Sequence, residues 1–510
     1  MRFDTAIEIE EPIAPPPQRS LEAHMLHGSM WTIGLRWAAR ITGLISTVIL
    51  ARLLTPADYG IVTIAMLIVG TVEMFSQTGQ NAAVIRNPKA TREHYDSAWT
   101  ISLILGLSLG AIVLAATPLT TAYFHEPRAK PVVQILALRV ALLGLQNVGT
   151  INFRRELKFH KQFFFTVWPE LISFVVTVAG AFLLRNYWAL VIGIMTKQVA
   201  TVVLSYVMEP YRPRLCFDKV NEIWSFSIWM FFRNIGVQLN AQIDKIAIGG
   251  VVGTAFMGRY DVARDIAISP TQELINPMVI VLFPVMAKVQ HDPEQRRKLY
   301  LTVLYWSALI CVSTSIGVSL VAQDLVDLVL GPKWHDVIPL VPWFALAFGV
   351  LGLSNSVYSS FDTIGRPGVS ARLQWVRLLV LGATVFPVAY LFRTLEAVAI
   401  TRFVVTVAIT PTLFYALGRA LQVPMGDFVT TLWRPFTAGL FMAVAVLSVN
   451  AAIGFAGPWR LLLDVMVGVA SFTAALMALW SINGRPEGPE HMLWKLISPV
   501  AGALRRYSAS

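Results

Sequence analysis

The sequence predicts an all-α integral membrane protein of about 14 transmembrane helices. Three observations carry this. Fourteen apolar stretches, each about long enough to cross a bilayer, run almost back to back from Ser29 to Ile482. Of all residues, 55% are hydrophobic and only 14% charged, where a soluble chain carries roughly 25% charged residues. Finally, runs such as Thr100–Ala116 and Leu171–Leu184 are continuous and lack the alternation of a membrane barrel strand. In hydrocarbon a continuous apolar run satisfies its own backbone only as a helix.

In order along the chain, the first 28 residues are acidic and rich in proline, without the apolar region of a cleavable signal, and read as a disordered cytoplasmic tail. The predicted spans are 29–53, 60–84, 97–118, 131–152, 163–184, 187–208, 221–247, 258–286, 300–322, 337–360, 373–392, 395–417, 433–454 and 459–482. Residues 483–510 form a second cytoplasmic tail, whose apolar stretch Met492–Leu504 either lies on the membrane surface or trails off. With the amino terminus inside, the inner loops hold 18 basic residues and the outer loops 8, so both termini are expected in the cytoplasm. The formal net charge of +11 therefore reports topology, not nucleic-acid binding. The two cysteines, Cys216 in a loop and Cys311 in a span, form neither a disulfide framework nor a metal pair.

The chain also contains a repeat. At a constant offset of 198, Trp31–Gly60 falls on Trp229–Gly258, with Trp31/Trp229, Ala57/Ala255 and Gly60/Gly258 identical. Phe124–Leu136 and Leu330–Val341 share a turn-then-proline layout between spans 3 and 4 and spans 9 and 10. The expected organisation is a six-helix lobe at 29–208, a parallel six-helix lobe at 221–417 and two additional helices within 433–482.

A charge at the centre of a span costs about 2.5–3.5 kcal/mol on insertion scales, so it should face protein or water. Arg36 and Arg40 share a stripe of span 1. Span 7 carries Arg233, Asn234, Gln238, Asn240, Asp244 and Lys245, predicting a wet face at equivalent places in both lobes. Glu73 in span 2 and Glu273 in span 8 should lie at depths similar to Arg40 and Arg233. Each such pair reads either as a helix pin or as a substrate or proton site. Arg139, Glu170, Lys197, Arg377 and Arg402 are further charges within spans. Span 8 has prolines at 270, 277 and 284, which predict either bending or a fixed curve. No P-loop, HExxH, zinc spacing, GxSxG or dinucleotide fingerprint occurs, so the sequence supports neither an enzyme nor a cofactor.

The runs Ala51–Ile68 (ARLLTPADYGIVTIAMLI) and Phe75–Asn87 (FSQTGQNAAVIRN) resemble the amino-terminal signature of Wzx-type polysaccharide flippases. So do Phe153–Phe159, Asp244–Ala263, Leu282–Tyr300 and Leu330–Val341, so that the resemblance covers about residues 25–420. It implies the multidrug/oligosaccharidyl-lipid/polysaccharide exporter superfamily, with two lobes around a central cavity in a bacterial inner membrane. The implied cargo is a polyprenyl-diphosphate-linked oligosaccharide for exopolysaccharide, capsule or O-antigen synthesis. The implied partners are membrane lipid and the polymerase and glycosyltransferases of the same pathway. For that cargo Arg36, Arg40 and Arg233 are the candidate diphosphate ligands, since guanidinium groups bind phosphate bidentately. Asn234, Gln238 and Asn240 are candidates for sugar hydroxyls, and Glu73, Asp244 and Glu273 for ion coupling. A drug or cation antiporter of the same superfamily would instead use these carboxylates as its cation site. A membrane polymerase or glycosyltransferase would need a long outer loop bearing acids or histidines, and the longest here is Gln323–Asp336. A scaffold for a polysaccharide synthesis complex stays open.

Overall fold

The computed structural model describes residues 42–43, 45–76, 91–156, 158–220, 228–251, 253–288, 292–364, 366–452 and 457–484. They are nearly all helical, and no strand occurs among the described residues. Ten of the described helices are long and apolar enough to cross a membrane. The first six long helices are α1 (45–53), α2 (Pro56–Glu73), α3 (Arg92–Phe124), α4 (Ala129–Gly144), α5 (Phe159–Leu184) and α6 (Trp188–Met208). The next six are α7 (Ile228–Gly249), α8 (Thr254–Lys288), α9 (Pro293–Leu320), α10 (Leu340–Thr363), α11 (Pro367–Phe392) and α12 (Leu395–Leu421). The hairpin of α13 (Met425–Ala452) and α14 (Pro458–Ile482) follows.

The two sets of six helices choose their neighbours in the same way. In the first, α3 packs on α4, α5 on α6, α2 on α4 and α4 on α6. In the second, α9 packs on α10, α11 on α12, α8 on α10 and α10 on α12. The pair α13–α14 is appended to the second set through α9.

Helices α2 and α8 meet between the two sets, and glycine permits the approach. A methyl group on Gly60 would collide with the carbonyl oxygen of Thr254, and one on Gly258 with that of Pro56. Gly60 and Gly258 are 198 residues apart, as are Pro56 and Thr254. Each contact is therefore the image of the other, as expected when equivalent surfaces meet across a two-fold axis. Thr63 and Asp261, again 198 apart, meet deeper in the same seam, with the Thr63 hydroxyl donating to the carboxylate at 3.1 Å.

The helix starts follow from local chemistry. Thr55 and Asp58 form a reciprocal capping box at the start of α2, with Pro56 in its first turn. Asp292 caps α9 by accepting from the Glu294 and Gln295 amides. Helix α8 runs unbroken past Pro270, Pro277 and Pro284. The fourth span ends earlier than the hydropathy suggests, at Gly144. Asn147 takes over there: its side-chain oxygen accepts from the Gly149 amide at 2.9 Å while its amide donates to the Tyr211 carbonyl at 2.7 Å. The chain turns into a 3-10 segment, Val148–Ile151, and a short helix, Asn152–Arg155. The third span is longer than expected, because α3 extends at both ends with its start at Thr91.

Overpacking a tight helix contact costs about 1–3 kcal/mol. Gly60→Ala and Gly258→Ala should each lower the midpoint of thermal unfolding of the purified protein in detergent. Gly317→Ala, where no neighbouring atom lies within 4 Å of the added carbon, should leave it unchanged.

Candidate functional site

Charges at membrane depth are joined into pairs between helices. In the first set Arg139 of α4 donates to Glu73 of α2 at 3.0 Å, both side chains mostly buried. Lys197 of α6 binds Glu170 of α5 on a half-exposed face. In the second set Lys245 of α7 binds Asp261 of α8, which also receives the Thr63 hydroxyl. The deepest pair joins Asp244 of α7 to Arg402 of α12, both almost wholly buried. Tyr260 of α8 donates its hydroxyl to the same Asp244 carboxylate at 2.6 Å, and Arg402 donates a second time to the Asn240 carbonyl at 3.2 Å. Phe348 of α10 faces the guanidinium groups of both Arg402 and Arg264, at 5.4 and 5.6 Å from its ring centre. Arg377 of α11, also buried, donates to the Thr406 hydroxyl at 3.4 Å.

The expected site residues fall as follows. Arg36 and Arg40 lie outside the described residues, as does the side chain of Arg233, whose backbone belongs to α7. Glu73 has Arg139 as its described partner, where the sequence pointed to Arg40. Glu273 is half-buried on α8. Asn234 and Gln238 are half-buried on α7. Asn240 is buried, and its amide donates to the carbonyls of Gly236 and, at 3.0 Å, Gln374 of α11. The expected wet face of span 7 thus turns inward toward its carboxyl end, where Asn240 and Asp244 are enclosed by α8, α11 and α12. A carboxylate enclosed there needs a cation and donors in place of water, and Arg402 and Tyr260 supply them. Arg402 and Arg139 carried one signal in the sequence, a charge inside an apolar run, but nothing there named their partners. No group of three or more metal-ligating side chains occurs among the described residues.

Long apolar helices and two sets with the same neighbours define a multi-pass helical membrane protein. The chain belongs to the polysaccharide biosynthesis protein family, whose model matches residues 49–339. It is 23% identical to the lipopolysaccharide biosynthesis protein WzxC of Escherichia coli, over 82% of this chain and 87% of that one. It is 25% identical to the succinoglycan biosynthesis transport protein ExoT of Rhizobium meliloti, over 78% and 81%. In fold it is similar to the lipid II flippase MurJ in an inward closed conformation, with a TM-score of 0.74 and 12% identity, over 89% of this chain and all of that one.

Removing one partner of a buried ion pair costs about 3–5 kcal/mol, because the other is left uncompensated. Asp244→Asn should therefore destabilise the protein by about that amount, read by thermal unfolding in detergent. The double change Asp244→Leu with Arg402→Met should recover most of the loss.

Proposed function

We propose that this protein is a flippase that carries polyprenyl-diphosphate-linked oligosaccharide across a bacterial inner membrane for exopolysaccharide, capsule or O-antigen synthesis. The observation that carries the reading is the set of charge pairs bridging neighbouring helices at membrane depth, in a chain similar to WzxC, ExoT and MurJ over most of its length. A diphosphate-sugar headgroup must pass a hydrocarbon slab while its lipid tail stays behind. The cavity must offer cations without leaving them unpaired when empty. A paired arginine or lysine meets both demands, since the arriving diphosphate replaces the carboxylate.

In this reading residues 29–208 and 221–417 are the two lobes, 433–482 the added helix pair, and 1–28 and 483–510 cytoplasmic tails. The lobes rock about a midplane site to give alternating access. Arg36, Arg40 and Arg233 bind the diphosphate, and Asn234, Gln238 and Asn240 bind sugar hydroxyls. Glu73, Asp244 and Glu273 are the coupling carboxylates. When the cargo draws Arg139 away, Glu73 becomes free to take a proton, which links cargo movement to a pH gradient. The reading makes the protein a transporter, not an enzyme, working beside the polymerase and glycosyltransferases that use its cargo.

The test is transport of a labelled lipid-linked oligosaccharide in reconstituted vesicles. A charge-assisted hydrogen bond contributes about 1.5–3 kcal/mol, so Arg40→Ala or Arg233→Ala should lower cargo affinity by about tenfold or more at unchanged protein level. Normal transport in both variants would remove them from the site. Glu73→Gln should abolish the dependence on the pH gradient and retain cargo binding; equal dependence in wild type and variant would make Glu73 a helix pin. Reporter fusions at Ser510 and within Gly331–Asp336 should read opposite sides of the membrane, with Ser510 cytoplasmic.

A further inference from the structure

The two turn-then-proline segments singled out in the sequence meet the opposite set of helices. The carboxyl end of α1 leaves two carbonyls without helical partners. Four residues after Ala51 comes Thr55, whose amide bonds to Asp58 instead at 3.0 Å, and four after Arg52 comes Pro56, which has no amide hydrogen. Both carbonyls are satisfied from the second set. Trp334, wholly buried, donates its indole N–H to the Ala51 carbonyl at 3.0 Å, and the Lys333 ammonium donates to the Arg52 carbonyl at 3.0 Å. Tyr59 stands edge-on to Trp334, with ring centres 5.2 Å apart.

The other set is treated alike. In the last turn of α7 the Ile246 carbonyl accepts from the Tyr123 hydroxyl at the end of α3, at 2.9 Å. Phe124 and Tyr123 rest on Gly249 and Gly250, where an added methyl group would collide with their rings. Beside them Glu126 accepts from the Thr254 hydroxyl at the start of α8, at 2.9 Å. Its carboxyl is held below the ordinary range mainly by its hydrogen bond to Arg128, so it is an ionised acceptor. Each set thus covers the carboxyl end of the other's first helix.

We propose that this cross-capping is a two-part latch, Trp334–Lys333 on α1 and Tyr123–Phe124 on α7, that holds the extracytoplasmic mouth of the transporter shut. The proposal rests on the flippase reading and its orientation. Opening the mouth separates the sets here, and the Ala51 and Arg52 carbonyls then pass from protein donors to water. Trp334 and Tyr123 are neutral donors, and the Lys333 ammonium is exposed, so water can take over these single bonds when the mouth opens.

The test uses the full-length chain with Cys216 and Cys311 replaced by alanine and Thr63→Cys as reporter, since Thr63 is buried in the seam between α2 and α8. A membrane-impermeant maleimide is applied to intact cells and to inverted vesicles. Tyr123→Phe removes one donor and keeps its ring, Trp334→Phe removes one donor and replaces the indole with a smaller phenyl ring, and each should raise labelling from the cell exterior at least threefold. Tyr123 is partly exposed, so its variant folds even if the Trp334 one does not. Separately, Arg52→Cys with Lys333→Cys, bridged by a short reducible bis-thiol reagent, should stop cargo movement in vesicles until the bridge is reduced. Unchanged labelling in Tyr123→Phe, or full transport by the bridged protein, would overturn the latch. Absence of transport in unmodified wild type would overturn the flippase reading instead and leave the labelling to decide the latch.

Discussion

Hydrocarbon offers a charge no partner, so a charge placed within a span of this protein is met by a group on a neighbouring helix. Each described pair at membrane depth is made by two helices: α2 with α4, α5 with α6, α7 with α8 and α7 with α12. The last two use adjacent residues, Lys245 and Asp244, pointing to different neighbours. Helix α7 is thereby fixed in rotation as well as in position. Apolar packing alone would not do this, because one leucine face meets lipid and protein with similar energy.

The second constraint is the axis. Helices α2 and α8 approach closely only because Gly60 and Gly258 each sit under the other's first turn. Two copies of one unit can share such a seam when the same small residue occurs in both, and a larger residue in either would push both away. The identity of these glycines at the 198-residue offset is therefore a packing requirement as well as a trace of repetition.

Much of this was legible in the sequence. Apolar runs of span length gave the helices, since the bilayer fixes their length and composition together. The ends were less legible where side chains compete with the helix: Asn147 stops α4 through bonds to Gly149 and to Tyr211, a residue 64 positions away. Of the candidate site, periodicity placed Asp244 and Asn240 on one face of α7 but said nothing of what that face meets. Arg402 lies 158 residues from Asp244, and no local pattern encodes that pairing. The same holds for Glu73, whose described partner Arg139 is two helices away and not on the stripe that sequence spacing suggested.

The distribution of bond types gives the arrangement its mechanical sense. The described intramembrane ion pairs lie within one set or the other, and for the one almost wholly buried pair, Asp244 with Arg402, removing a partner costs about 3–5 kcal/mol. The polar links across the seam are of another kind: the Thr63 hydroxyl to Asp261, the Trp334 indole to Ala51, the Tyr123 hydroxyl to Ile246 and the Thr254 hydroxyl to Glu126. The two between neutral groups contribute about 0.5–1.5 kcal/mol net each, and the two to carboxylates about 1.5–3 kcal/mol. Lys333 and Arg52 cross the seam too, but as exposed donors to carbonyls, with solvent at hand when they let go. The described ion pairs therefore tie helices within each set, while the polar links across the seam are single hydrogen bonds laid over an apolar core that both sets share. Separating the two sets at the seam would leave the buried pair of Asp244 and Arg402 intact, since both residues belong to the second set.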